Sequence, residues 1–174
     1  MNDYLDRCRR ILEHATASIP ADKAAQRVDG RWSIVEIVEH LQRTYSRTAK
    51  GFERCLENDG PNATPISWRG RLNQFVIVKL GYFPPGRQSP KQVLPTGDLD
   101  DLPSALDQVR RDLAWLDRAA IQVRHRLGSG KMLDHPVLGA LSVDEWLRFH
   151  WIHTRHHEKQ IRARAAKPRL GGAR

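Results

Sequence analysis

At 174 residues, with 40% hydrophobic and 28% charged side chains, the chain has the balance of one globular domain, which excludes disorder throughout. The net charge of +9 admits anionic partners, yet the basic residues are scattered (Arg9 and Arg10, Arg69 and Arg71, Arg110 and Arg111, then Arg162 to Arg174), so solvated helix faces are expected over a nucleic-acid stripe. Two distant cysteines, Cys8 and Cys55, exclude a disulfide scaffold or zinc knuckle and read as small buried hydrophobes of a reducing, cytoplasmic protein.

The opening MNDYLDRCRRILEHA mixes charges from the start, so no signal peptide is expected. No apolar run approaches the roughly 20 residues that span a bilayer, and no membrane partner is expected. Tyr4, Leu5, Cys8, Ile11, Leu12 and Ala15 instead repeat at helical spacing and predict an amphipathic helix over 3–16, ended by Pro20 and the polar stretch to Gly30.

Ser33 and Glu36 form a capping box that opens a second helix. Ile34, Val35, Ile37, Val38, Leu41 and Tyr45 carry the pattern on to about Leu56, and Asn58-Asp59-Gly60-Pro61 stops it. Residues 61–100 are rich in Pro and Gly and predict a long irregular insertion over one end of the bundle, with a short helix or strand between Trp68 and Leu80. Trp68, Tyr82 and Phe83 are its candidates for shaping a substrate pocket.

A third helix is expected over 103–126, with Pro103 early and Gly128 after the last turn. KMLDHPVLGA reads as a loop. Ser142 and Glu145 make a second capping box, which opens a fourth helix running to about Ala165. Four substantial helices without a convincing set of strands predict an all-α four-helix bundle over 1–166, followed by a flexible basic tail over 167–174.

Four of the eight histidines fall in FHWIHTRHHEKQI. His153 and His157 lie about 40° apart on a helix surface, one turn from each other, which lets two imidazoles share one ion. His150 lies on the same side, and His156 is turned roughly 60° the other way at this helical pitch. Metal sites with an open position usually take three protein ligands, and His40, in the apolar run VEIVEHLQRTY, is the candidate for the third. A satisfied core histidine at His40 and a polar surface at the later cluster is the competing reading, and spacing leaves both open. There is no HExxH, and Glu36 precedes His40 by four residues rather than the three of di-iron bundles, so a mononuclear three-histidine site is the better fit.

WSIVEIVEHL and HPVLGALSVDEWLRFHWIHTRHHEKQI together resemble the DinB-like (DinB/YfiT-like) superfamily, in particular a branch with an HPxxG loop before an HxxHHxxQ helix. The resemblance rests on about a quarter of the chain. It implies a four-helix bundle holding a divalent metal ion, zinc or nickel, on His40, His153 and His157, with Gln160 and Ile161 matching the ending of the motif. Relatives in that superfamily include S-transferases that use a low-molecular-weight thiol (bacillithiol, mycothiol or glutathione) and metal-dependent hydrolases. The expected partner is therefore a small-molecule substrate; a homodimer is left open, and the alternative is a non-enzymatic, metal-stabilised bundle or a basic nucleic-acid-binding module. Around the site, Trp146 reads first as core, Glu36 as a cap before a hydrogen-bond partner of His40, and His135-Pro136 as a structural turn.

Overall fold

A computed structural model describes residues 1–64, residue 74 and residues 90–166. These form five α-helices and one two-stranded hairpin in the order α1 (Asp3–Thr16), α2 (Ala21–Ala25), α3 (Ile34–Glu57), a 3-10 turn (Lys91–Val93), α4 (Leu102–Leu127), β1 (Lys131–His135), β2 (Gly139–Ser142) and α5 (Val143–Ala166). The architecture is thus mostly helical, as the sequence predicts. Trp68, Tyr82, Phe83 and the basic tail at 167–174 lie outside the described residues, and so does the element expected between Trp68 and Leu80 apart from Gln74, which is helical.

Each long helix begins where its sequence supplies a cap. Ser33 Oγ accepts from the Glu36 N–H at 3.1 Å and the Glu36 carboxylate accepts from the Ser33 N–H at 2.8 Å, so two backbone donors at the start of α3 are satisfied reciprocally. Ser142 and Glu145 repeat this exchange at α5, at 3.3 and 2.8 Å. Asp101 caps α4 through the Ser104 N–H at 2.7 Å, and Pro103 follows inside the first turn, where a missing donor does no harm. Gly128 ends that helix at φ +83°, a conformation that disfavours any side chain.

The four long helices close one core. α3 packs chiefly along α4, and α1 along α5. Leu5, Leu12, Ile37, Leu41, Tyr45, Phe52, Leu113 and Leu116 are fully buried where these faces meet. Burial of each such side chain stabilises the fold by roughly 1.5–3 kcal/mol relative to an exposed one. Cross-links fix the register of α3 against α5: the Tyr45 hydroxyl donates to Thr154 Oγ1 at 2.6 Å, which in turn donates to the His150 carbonyl, and His150 Nε2 meets Thr48 Oγ1 at 3.1 Å. As the numbers rise along α3 they fall along α5, so the two helices run antiparallel. Cys8 and Cys55 are buried and unpaired, and burial pushes the Cys8 thiol up to about 12, which removes it as a nucleophile near neutral pH.

One local reading needs correction. Residues 131–142 are not a loop but an antiparallel hairpin, with His135 opposite Gly139 and Lys131 opposite Ser142. His135 Nδ1 accepts the N–H groups of Val137 at 3.1 Å and Leu138 at 3.2 Å, which folds the turn, and Met132, Leu138, Ala140 and Leu141 anchor the hairpin in the protein interior. The stretch between Pro20 and Gly30 contains one short helix, α2, whose Ala24 is buried. Among the described residues, no helix is long and apolar enough to cross a membrane.

Candidate metal centre

Two helices build the site. His40 sits two turns into α3, on the face that continues Ile37 and Leu41 into the core, and it is 1% exposed. His153 and His157 stand one turn apart on α5, each 6% exposed. Because α3 and α5 run antiparallel in the register set by Tyr45–Thr154, His40 arrives opposite this pair. The Nε2 atoms of His40 and His153 are 3.3 Å apart, and those of His157 and His153 are 3.0 Å apart. One nitrogen of each of the three rings lies within 4.8 Å of the others.

Such spacing suits a cation. Three nitrogens bound at about 2.0–2.1 Å in a tetrahedral arrangement stand about 3.3–3.4 Å apart, and closer still in an octahedral one. The hydrogen bonds on the outer side of the rings reinforce the fit. His40 Nδ1 lies 2.7 Å from the carbonyl oxygen of Val93. A carbonyl only accepts, so Nδ1 carries the proton and Nε2 is left with its lone pair. His157 Nδ1 donates in the same way to Gln160 Oε1 at 2.9 Å, while the Gln160 amide N–H faces His156 Nε2 at 3.1 Å, an arrangement that fixes which way the amide points.

Two lone pairs therefore converge on His153 Nε2, whose single proton can satisfy only one of them. All three rings are neutral. Burial drives His157 down to about 3, with the neighbouring His40 and His156 adding to the shift. Burial also holds His153 well below the ordinary histidine range, and it lowers His40 against the opposing pull of the Val93 carbonyl. Neutral imidazoles with inward lone pairs are the protonation state in which histidine binds a metal ion.

Aromatic side chains close the surroundings. Phe149 stacks on His153 with ring centres 5.4 Å apart and planes 18° apart, and the half-buried Trp32 lies 5.1 Å from His40. On the side of Trp32, its carbonyl oxygen accepts the Arg164 Nε–H at 2.6 Å, which ties the end of α5 to the start of α3.

The remaining candidates fall outside the triad. Trp146 is core, and its indole N–H donates to the Leu133 carbonyl at 3.0 Å. Glu36 does not reach His40: its carboxylate is shared between the Ser33 N–H and Arg27. His150 is fully buried one turn below His153 and bonds Thr48 on the core side. His135 folds the hairpin turn and packs against Phe149, with ring centres 4.5 Å apart. His156, read as turned away, is tied to the site through Gln160.

One contributor, Val93, and the role of another, Gln160, escape sequence reasoning. Val93 acts through its backbone oxygen, for which side-chain pattern gives no signal. The role of Gln160 has a faint one, since it stands three residues after His157 and so shares its face.

No curated protein and no solved structure matches the chain. The family model described as the DinB superfamily matches residues 4–161, from the first turn of α1 to beyond the last histidine of the triad. With the match extending over nearly all of its length, the chain belongs to the DinB superfamily.

Proposed function

We propose that this protein is a metal-dependent enzyme, that His40, His153 and His157 hold one divalent ion, and that it acts on a small molecule by thiol transfer or hydrolysis. One observation carries the reading: three buried imidazoles direct their Nε2 atoms at a common point, and acceptors on the outer side fix two of them in the ligating tautomer. Without a cation, the single proton of His153 can satisfy only one of the two lone pairs that face it, and burial makes the other costly. Zinc and nickel both suit a set of three imidazoles.

When bound there, an ion with an open position supplies electrostatic activation of a water molecule or a thiol. The chain's own residues do the rest. Val93 and Gln160 orient two ligand rings, Phe149 and Trp32 keep bulk water from the imidazole faces, and Arg27 is drawn into the cap of α3 rather than towards the site. Many of the basic side chains sit in ion pairs, among them Arg9 with Asp6 and Glu13, Arg110 with Glu13 and Asp107, and Arg162 with Glu158. This supports solvated faces over a nucleic-acid surface, and the reducing compartment expected from Cys8 and Cys55 would be the cytoplasm.

The depth of the triad favours a second reading, in which the ion stabilises the bundle and performs no chemistry. Elemental analysis of protein purified without a histidine tag should find about one zinc or nickel per chain, and none in H153A. Equal metal in H153A, or none in the wild type, would sink the site. Turnover of an electrophilic acceptor with a panel of thiols, abolished by a chelator, separates an enzyme from a metal-stabilised module. No tight DNA binding is expected at physiological salt, whereas tight binding with a steep loss of affinity as salt rises would revive the nucleic-acid reading.

A further inference from the structure

One turn of α3 binds more than an ion site. Glu39, His40 and Arg43 all reach the same segment, Lys91–Asp98, which crosses the outer side of the helix. The Glu39 side chain is 1% exposed. One of its carboxylate oxygens accepts the backbone N–H of Thr96 at 2.8 Å and shares the proton of the Thr96 hydroxyl, also at 2.8 Å, with the Asp98 carboxylate, and the other accepts the Gly97 N–H at 3.1 Å. Arg43 donates to the same Thr96 hydroxyl at 3.0 Å and lies 3.7 Å from the Asp98 carboxylate. Gly97, at φ +79°, permits the turn that aims both N–H groups at one carboxylate. Three residues upstream of Thr96, the buried Val93 presents its carbonyl to His40 Nδ1 at 2.7 Å.

A buried carboxylate is stable only while its oxygens are satisfied by donors. Those donors belong to the segment, so Glu39 is satisfied in the interior only when the segment is closed. Closure in turn delivers the acceptor that sets His40 in its Nδ1–H form, with Nε2 bare. An open segment would leave Nδ1 to water and free His40 to place its proton on Nε2, the form that cannot ligate through the inward-facing Nε2.

We infer that Lys91–Asp98 is a latch coupled to the ion site, with Glu39 as its positioning residue: closing the latch and loading the ion favour one another through the tautomer of His40. Glu39 touches neither the ion nor its ligands' inward nitrogens and acts through Thr96, Gly97 and Val93. The coupling is reciprocal, as linkage between two binding events requires. The inference rests on the metal reading above, and its test keeps the two apart.

The zinc affinity of the full chain would be measured by competition with a chromophoric chelator for the wild type, Glu39→Gln and Thr96→Ala. Hydrogen exchange at the Thr96 and Gly97 amides would be followed with and without zinc, and circular dichroism would report helicity. Zinc should slow exchange of both amides in the wild type. E39Q should bind zinc about 10- to 100-fold more weakly, the range seen when a ligand's supporting partner is lost. T96A, which removes the hydroxyl and its methyl group but keeps the backbone N–H, should show a smaller loss in the same direction and carries the test if E39Q does not fold. Wild-type binding with affinity unchanged in both variants, or amide exchange indifferent to zinc, overturns the latch while leaving the ion site standing. Failure of the wild type itself to bind zinc or nickel brings down the ion site, and the latch with it.

Discussion

Acidification from pH 7 to pH 5 should destabilise the metal-free protein steeply, because the core holds imidazoles that cannot take up protons while folded. Burial holds His150 and His157 down to about 3 and keeps His153 well below its ordinary range. In the unfolded chain each titrates near 6.5. Between those limits the unfolded state binds protons that the folded state refuses, so stability falls as pH falls. The contribution is complete above about pH 6.5 and is lost progressively towards pH 3.

For one such histidine the loss between pH 7 and pH 5 is about 2 kcal/mol, and for His150 and His157 together about 4 kcal/mol, with His153 acting in the same direction, against a total stability of roughly 5–15 kcal/mol for a domain. His150 is the cleanest probe, because it stands outside the triad. Thr48 donates its own proton to the Thr44 carbonyl, so His150 must donate Nε2–H to Thr48 Oγ1. Its buried Nδ1 has no partner among the described residues. Urea denaturation in chelator at pH 7, 6 and 5, followed by tryptophan fluorescence, gives the slope. His150→Gln should reduce it by one proton, about 1.4 kcal/mol per pH unit below pH 6. A wild-type slope below one proton, or an identical slope in H150Q, would refute the assignment of neutral buried imidazoles.

Three further outcomes follow from the site and its frame. Zinc at a hundred times its Kd should stabilise the protein by about 2.7 kcal/mol, and H157A should abolish the effect in the same thermal scan. Gln160→Leu removes the acceptor for His157 Nδ1 and should weaken zinc binding about 10- to 100-fold in a chelator competition; an unchanged Kd would show that the amide does not orient the ring. Ser33→Ala breaks the capping box of α3 and should cost about 1 kcal/mol, a fall in Tm of about 2–4 °C, with metal content measured by elemental analysis unchanged.

The sequence by itself determined the helices and their ends. Apolar spacing from Tyr4 to Ala15 and from Ile34 to Tyr45, with Ser33–Glu36 and Ser142–Glu145 at two starts, are local signals: each needs only its own turn of backbone to act. The hairpin at 131–142 escaped because its strands are only five and four residues long, too short for alternation to stand out from the Pro and Gly that punctuate them. For the site, His153 and His157 could be paired from their spacing, since one helix fixes both, and His40 could be nominated by its apolar setting.

Only the tertiary structure decided that these rings meet. Their convergence depends on the antiparallel register of α3 and α5, which Tyr45–Thr154 and Thr48–His150 fix across more than a hundred residues of chain. The same holds for the orientation of the rings. The acceptor for His40 is a backbone carbonyl at Val93, held in place by Glu39 through Thr96 and Gly97, and a carbonyl has no letter in the sequence. Residue identity states which atoms are available for chemistry; the packing of distant segments sets which lone pairs face one another.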